Sequence, residues 1–408
     1  MEIRFQPITP NQIYEVMHKA VIGQDEPLKT VASVISAHLA RCAYNQHTNK
    51  KIQKDNLLIV GPTGTGKTEC IRTALRELKL PIPMAVVPVN TLSTAGYRGR
   101  QVEDMIQDLV RDTRRVLADC IESYIFSENE YQIVEKDNGS KVKRINPEAL
   151  EQAIIKLCEN GIIVLDEIDK IHFDPVNEYE GVYKRNMQFE LLKIIEGTKG
   201  LSEDCLVQKI DTSNILFICL GAFTKLLNPP PGRPEIGFSD NKFSKEISNN
   251  NIPSTEDLVK FGFVEEFIGR IPLRCRFNAL SVDNLYKILT ESSISPVEDF
   301  KNLFAIRKGN TLSFTDDALH EIAKRAATVN TGARGLRTVM HFLYDIYFNT
   351  ESSCIMDEVI IHANTVNGSE PEIRRIGFNE LLHNKKNQPV KTGIKNNDFN
   401  GLNPVEIE

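Results

Sequence analysis

A parallel α/β domain followed by a smaller, mainly helical domain is the fold class this sequence predicts, and three observations predict it. Short apolar runs recur at residues 56–60, 85–89, 162–165 and 215–219. None alternates with polar residues, which is how a strand buried on both faces of a parallel sheet reads. Stretches of helical periodicity separate these runs, and strands alternating with helices build a parallel sheet. From about Ser281 onward the strand pattern gives way to helices. The expected organisation is an α/β domain over residues 1–280, a small helical domain over 281–367 and a loose tail over 368–408.

Taken in order, an extended start leads into a helix over 27–41, where Leu28, Val31, Val34, Ile35, His38 and Leu39 fall at helical spacing. The run at 56–60 feeds a glycine-rich turn that opens at Gly61, and Ile71, Ala74, Leu75 and Leu78 continue it as a helix. A further helix carries Val102, Met105, Ile106 and Leu109. Helices over 282–290, 296–306, 315–328 and 335–349 make up the second domain, followed by one β-rich run at 358–362. Two internal stretches read as irregular: the polar part of 127–146, and 228–251 with its three consecutive prolines and three consecutive asparagines. Beyond Gly368 apolar residues are too few to offset the entropy of ordering.

Composition narrows the function. Hydrophobic residues at 41% and charged residues at 25% provide sizeable cores and exclude wholesale disorder. The net charge of −6 gives a bulk field that does not favour phosphate backbones, so nucleic acid is not the expected partner. No window approaches the ~18 to 20 apolar residues of a membrane span, and the start lacks a basic then apolar leader, so neither a membrane nor secretion is expected. The eight cysteines form no C-x-x-C pair. The expectation is therefore no zinc, and reduced, buried thiols in a cytoplasmic protein.

Gly61, Pro62, Thr63, Gly64, Thr65, Gly66, Lys67 and Thr68 match G-x-x-x-x-G-K-[ST], between an apolar strand and a helical pattern. Glycines let backbone N–H groups turn inward around a β-phosphate, and the helix N-terminus adds its positive dipole end. Lys67 spans the β- and γ-phosphates and Thr68 ligates Mg²⁺. The run at 162–165 ends in Asp166 and Glu167, a pair of carboxylates where such a site needs them. Asp166 would hold Mg²⁺ through water. Glu167, not committed to the metal, would polarise the attacking water as general base.

Continued by Asp169 and Lys170, this acidic pair resembles the AAA+ ATPases of the ClpX and HslU group, and the likeness runs over about residues 8–365. Further landmarks follow in order: Val21, Ile22, Gly23 and Gln24; Gly96, Tyr97, Arg98 and Gly99; Ile236, Gly237 and Phe238; the run 257–270 ending in Arg270; and Thr331 through Arg334 to Arg337. The resemblance implies an AAA+ core with a helical lid domain. It also implies a homo-hexameric ring that hydrolyses ATP with Mg²⁺ at its interfaces and threads unfolded protein through a central pore, into a ClpP-like peptidase. By the same resemblance Val21 and Ile22 pack on adenine, Arg270 is the arginine finger reaching a neighbour's nucleotide, and Arg334 is the sensor-two arginine. Gly96, Tyr97, Arg98 and Gly99 stand in the place of the substrate-gripping pore loop. Ile236, Gly237 and Phe238 stand in the place of the peptidase-docking loop, although the same triplet recurs at Ile376, Gly377 and Phe378. The sensor-one position has no evident polar side chain at Ile218, Cys219, Leu220 or Gly221 and stays unassigned.

Departures from the family pattern limit the carry-over. The sequence begins near the ATPase core, so the amino-terminal zinc-binding domain of ClpX is not expected. An excess at about 114–151 lies where HslU carries an inserted domain. Arg98 replaces the valine usual in ClpX, which would make the pore more cationic and favour acidic or less apolar substrate segments. The segment 197–210 lacks the Arg-Lys-His run that ClpX places at its pore entrance. Two alternatives stay open at this point: a remodelling chaperone that works without a protease, and a nucleic-acid motor or loader, for which Arg98, Arg100, Arg114 and Arg115 speak.

Overall fold

The computed structural model describes residues 2–3, 8–48, 52–93, 100–119, 124–125, 127–135, 141–173, 178–201, 210–227, 252–306, 311–349 and 357–375. The chain enters through α1 (Pro10–Ala20) and α2 (Asp25–His47). It continues through β1 (Leu57–Val60), α3 (Lys67–Glu77), β2 (Met84–Pro88), α4 (Met105–Asp119), α5 (Pro147–Glu159), β3 (Ile162–Asp166), α6 (Glu178–Glu196) and β4 (Leu216–Gly221). Then follow α7 (Thr255–Phe261), α8 (Glu265–Gly269) and β5 (Leu273–Arg276). The five strands form one parallel sheet in the order β5-β1-β4-β3-β2.

Both faces of the sheet are covered, which is why its strands read as continuous apolar runs. Leu57, Ile59, Ile162, Val164, Leu216 and Ile218 face α1, α2 and α3, meeting Ile13, Met17, Leu28, Val31, Ile35 and Ile71. The alternate residues Leu58, Val60, Ile163, Leu165, Phe217 and Cys219 face α4, α5 and α6, meeting Ile106, Leu109, Leu157, Met187 and Leu191. Each fully buried Leu or Ile stabilises by about 1.5–3 kcal/mol. A third core gathers Leu285, Phe300, Phe304, Ile322, Leu336, Met340 and Val359 from the carboxy-terminal part. That part is built from α9 (Val282–Thr290), α10 (Pro296–Ile306), β6 (Thr311–Phe314), α11 (Asp316–Val329), α12 (Arg334–Val339), α13 (Phe342–Asn349), β7 (Asp357–Ile361) and β8 (Glu372–Arg375).

Several expectations need correction. The start is not extended throughout, because Pro10–Ala20 is helical. Thr9 caps it in a reciprocal box with Gln12, and Pro10 occupies the first turn, where its missing N–H costs nothing. The single helix expected over 335–349 is two. Met340, His341, Leu343 and Tyr344 bond three or four residues back at the break, and Leu336, Met340 and Leu343 are all fully buried. The single β-rich run is the middle of a three-stranded sheet, β6-β7-β8. Its last strand, β8, lies within the stretch expected to be loose, because Ile373 pairs opposite Val359 and its backbone finds ladder partners. The described part of the polar stretch 127–146 is not irregular: Tyr131–Glu135 pairs antiparallel with Lys141–Ile145. The excess placed at about 114–151 begins inside α4 and ends inside α5. Residues 228–251 and 376–408 lie outside the described residues.

Candidate active site

The glycine-rich turn leaves β1 at the carboxyl edge of the sheet, where ligands of parallel α/β sheets bind. Gly61 N–H donates to the Gly221 carbonyl at the end of neighbouring β4 at 3.1 Å, which brings these two strand ends together. Gly64 and Gly66 adopt φ of +75° and +93°, left-handed values that side chains disfavour. Space forbids a side chain as well. A Cβ on Gly64 would lie 2.1 Å from the Thr331 carbonyl oxygen, and one on Gly66 would lie 2.6 Å from a Val21 methyl. The glycines therefore serve the turn and also its close packing against two other segments of the chain.

Lys67 is the first residue of α3, and its buried ammonium donates to the carbonyls of Gly61 at 2.6 Å and Pro62 at 2.7 Å. Burial, with Arg334 nearby, lowers its pKa to about 8 against the opposing pull of Asp166 and Asp169. Thr68 Oγ donates to Asp166 Oδ2 at 3.4 Å, joining the start of α3 to the end of β3. Asp166 Oδ1 accepts the amide of Glu167 at 2.8 Å. Glu167 itself has φ +57° and ψ +36°, a strained conformation for a residue with a side chain. Its Oε2 accepts from Asn90 Nδ2 at 2.9 Å.

Lys67, Thr68, Asp166 and Glu167 line one cleft of about 790 Å³. Val21, Ile22, Gly64, Gly66 and Arg334 line it with them. Val21 belongs to the core beneath the sheet and Ile22 to the carboxy-terminal core, so this pair straddles the seam between the two. The seam is stitched by hydrogen bonds. Ser292 Oγ donates to the Ala20 carbonyl at 2.8 Å and Ala333 N–H donates to the Gly64 carbonyl at 2.9 Å, while Gln24 exchanges two bonds with the backbone of Asn278, in the connection that leads to α9.

The structure thus brings together Val21, Ile22, the turn from Gly61 to Thr68, Asp166, Glu167 and Arg334. It does not bring Arg270 to them. That residue caps α8 on the rim of a separate depression, where its Nε donates to Glu196 Oε1 at 2.7 Å. Gly96, Tyr97, Arg98 and Gly99 lie outside the described residues, as do Ile236, Gly237 and Phe238. The segments flanking the first of these loops are described: Leu92–Ser93 pairs in parallel with Arg100–Gln101, and Arg100 is ion-paired to Asp108.

Sequence reasoning gave no role to four cleft or near-cleft residues. Asn90 follows β2, whose last residue Pro88 lies in register with Asp166; a polar residue just past a strand end was the available signal. Asp169 was read only as part of a motif, yet it is buried and its Oδ1 accepts Ala222 N–H at 3.1 Å. It supplies a polar group beside the end of β4, where the sensor-one position stayed unassigned. Arg337 lines the cleft while ion-paired to Asp299, and Gln24 ties the segment of Val21 and Ile22 to Asn278. The apolar pair Val21 and Ile22, a glycine cradle, the Lys67 ammonium with Arg334 and Arg337, and a hydroxyl–carboxylate pair fit a nucleoside triphosphate with Mg²⁺. Thr68 and Asp166 are the residues that would hold the metal, which would neutralise charge on the phosphates.

The comparisons agree with that chemistry. A family model described as an AAA domain (Cdc48 subfamily) matches residues 52–274. The ATP-dependent Clp protease ATP-binding subunit ClpX of Treponema denticola is 32% identical over 391 residues, which cover 90% of this chain and 83% of that protein. Proteins of the same name from Borrelia duttonii and Borrelia recurrentis are each 32% identical over 378 residues, covering 88% of this chain and 78% of theirs.

Proposed function

We propose, from the premise that this chain belongs to the ClpX family of AAA+ ATPases, that it couples ATP hydrolysis to the unfolding and threading of polypeptides in a ring of six identical subunits. One observation carries the reading. A cleft holding Lys67, Thr68, Asp166, Glu167 and Arg334 does not include Arg270, which stands exposed on another rim. An arginine so placed suits a neighbour's nucleotide rather than its own.

Within one subunit, Lys67 and the turn amides bind the phosphates, and Val21 and Ile22 flank the base. Glu167 takes the proton of the attacking water. Asn90, by donating to Glu167 Oε2, competes with that water for the carboxylate and orients it. Arg334 and, from the adjacent subunit, Arg270 offset charge on the transferring phosphoryl group, a contribution of ~10³ to 10⁵ in rate for a finger arginine. Tyr97, between Gly96 and Gly99 and beside Arg98, grips the polypeptide. The pairing of Leu92–Ser93 with Arg100–Gln101 supports this by pinning both ends of the loop. Ile236, Gly237 and Phe238 dock the ring onto a ClpP-like peptidase in the cytoplasm. Among the described residues no helix is long and apolar enough to cross a membrane.

The test is steady-state ATP hydrolysis by the purified protein, with Glu167→Gln as the inactive control. An unfolded polypeptide should raise the rate severalfold and single-stranded DNA should not. Stimulation by DNA alone would overturn the reading.

A further inference from the structure

Helix α6 ties the site's own carboxylates to the arginine on the opposite rim. Gln188, completely buried in its middle, donates Nε2 to the carbonyls of Ile171 at 2.8 Å and Gly262 at 3.1 Å, while its Oε1 accepts Val264 N–H at 2.8 Å. Ile171 ends the short turn Ile168–Ile171 that follows Glu167. Val264 is the cap of α8, whose other end is Arg270. The two segments also touch directly. Phe173 N–H donates to the Gly262 carbonyl at 2.8 Å, and Gly262, at φ +114°, has no room for a Cβ, which would sit 2.0 Å from the Phe173 carbonyl oxygen.

The main chain of Arg270 is therefore fixed from two sides. Gln188 holds the start of its helix, and buried Asn56 donates to its carbonyl at 2.8 Å while accepting Phe217 N–H from β4 at 3.0 Å. Only the long side chain remains to be set. Glu196, the last residue of α6, accepts its Nε at 2.7 Å. A guanidinium offers five N–H donors in a planar fork. Engaging Nε leaves the two-nitrogen end free, and among the described residues that end bonds to nothing. It is the edge that meets two phosphoryl oxygens at once.

We propose that Glu196 is a positioning residue for ATP hydrolysis: it aims Arg270, on a mount built by Gln188 and Asn56, at the nucleotide of the adjacent subunit. This rests on the reading that Arg270 acts in trans. Glu196 does not touch the nucleotide and acts only through Arg270. Its side chain is 41% exposed and that of Arg270 58%, so the pair fixes a rotamer more than it holds the fold together.

The experiment compares ATP hydrolysis by wild type, Glu196→Ala, Glu196→Gln, Arg270→Ala and the double variant Glu196→Ala/Arg270→Ala, using single turnovers for the slow ones. Glu196→Ala should lower kcat about two- to fivefold with KM for ATP and the unfolding midpoint unchanged, the scale of a partly exposed ion pair. Glu196→Gln, which still accepts from Nε, should fall between. The double variant should match Arg270→Ala, because a residue acting only through the arginine has nothing left to do without it. An unchanged or raised kcat in Glu196→Ala, beside an inactive Arg270→Ala, would overturn the proposal and leave the trans arginine standing. A double variant slower than Arg270→Ala would overturn it as well, by revealing an independent role. If Arg270→Ala turns over at the wild-type rate, the trans reading fails and this proposal falls with it.

Discussion

Two buried cations in this molecule are held in opposite ways. Arg41 donates to Asn214 Oδ1 at 2.7 Å, to the Asn214 carbonyl at 2.9 Å and to His38 Nδ1 at 2.6 Å, all neutral acceptors packed between α2, α5 and β4. Lys67 also donates to neutral acceptors, but they are carbonyls of its own glycine-rich turn, at the edge of a cleft. Neither cation has a carboxylate within ion-pair distance among the described residues. The difference lies in what can replace the acceptors. Arg41 lines neither the cleft nor the depression beside Arg270, and its bonds serve the fold. On the proposed function a phosphate competes for the ammonium of Lys67, so its bonds are exchangeable.

The largest expected effect separates the two by function. Lys67→Met should cut ATP turnover about 10²- to 10³-fold, the usual loss when one electrostatic stabiliser of a transition state is removed, without lowering the unfolding midpoint. Methionine fits the apolar part of the site, and a desolvated cation is removed rather than orphaned. Denaturant unfolding and hydrolysis measured on the same sample would check this. A Lys67→Met protein that unfolds early would mean the ammonium holds the turn together as Arg41 holds its cluster.

Arg41→Met should do the reverse. It strands His38 Nδ1, Asn214 Oδ1 and a carbonyl in a buried place, at a cost of about 3 kcal/mol in unfolding free energy. Folded Arg41→Met protein should still hydrolyse ATP at near the wild-type kcat. A tenfold loss of turnover in fully folded protein would erase the distinction.

The neighbour of Arg41 sharpens it by pH. His38 is fully enclosed, and burial together with the charge of Arg41 lowers its pKa to about 3, against a contribution from the Asn160 carbonyl that Nε2 bonds at 2.9 Å. The imidazole is therefore neutral in the fold, donating through Nε2 and accepting at Nδ1. Because the folded pKa lies below the unfolded value of 6.5, the stability it contributes is complete above pH 6.5 and drains away as pH falls toward 3. The slope is about 1.4 kcal/mol per pH unit, so roughly 3 kcal/mol should be lost by pH 4.5. Unfolding titrations of wild type and His38→Gln should diverge across this window. Parallel acid limbs would show that His38 does not set it.

The two regions also differ in how far the sequence disclosed them. The turn from Gly61 to Thr68, with Asp166 and Glu167, was legible because phosphate chemistry demands fixed residue types at fixed spacing along one stretch. Arg41, Asn214, Asn160 and His38 were not, because their grouping depends on how α2 crosses β4 and α5. His38 was legible only as an apolar-face position of a helix. The sheet followed from its apolar runs, except β5, an edge strand whose Leu-Arg-Cys-Arg alternates apolar and charged residues and so offers no continuous apolar run. Helix α1 had a visible capping box and was still passed over. Asn90, Gln188 and Glu196 each act on a residue at least 74 positions away, and no local pattern announces such a partner.

The smallest effect sits back on Lys67. Its pKa of about 8 means that the ammonium begins to lose its proton just above neutral pH, whereas phosphates beside it would hold the proton on. Binding a triphosphate therefore requires the charged form. Affinity should be flat below pH 8 and weaken as pH rises above it, approaching tenfold per unit while one proton is taken up with the nucleotide. The second ionisation of a phosphate lies near pH ~6, so above pH 8, where the affinity falls, it contributes almost no opposing slope. Lys67→Arg supplies the control, since a guanidinium stays charged throughout and should bind with a flat profile even where its shape binds less well. Fluorescent nucleotide titrations from pH 7 to 9.5 would measure both. A wild-type curve as flat as that of Lys67→Arg would show that the turn carbonyls keep Lys67 fully protonated, and that this cation is held as permanently as Arg41.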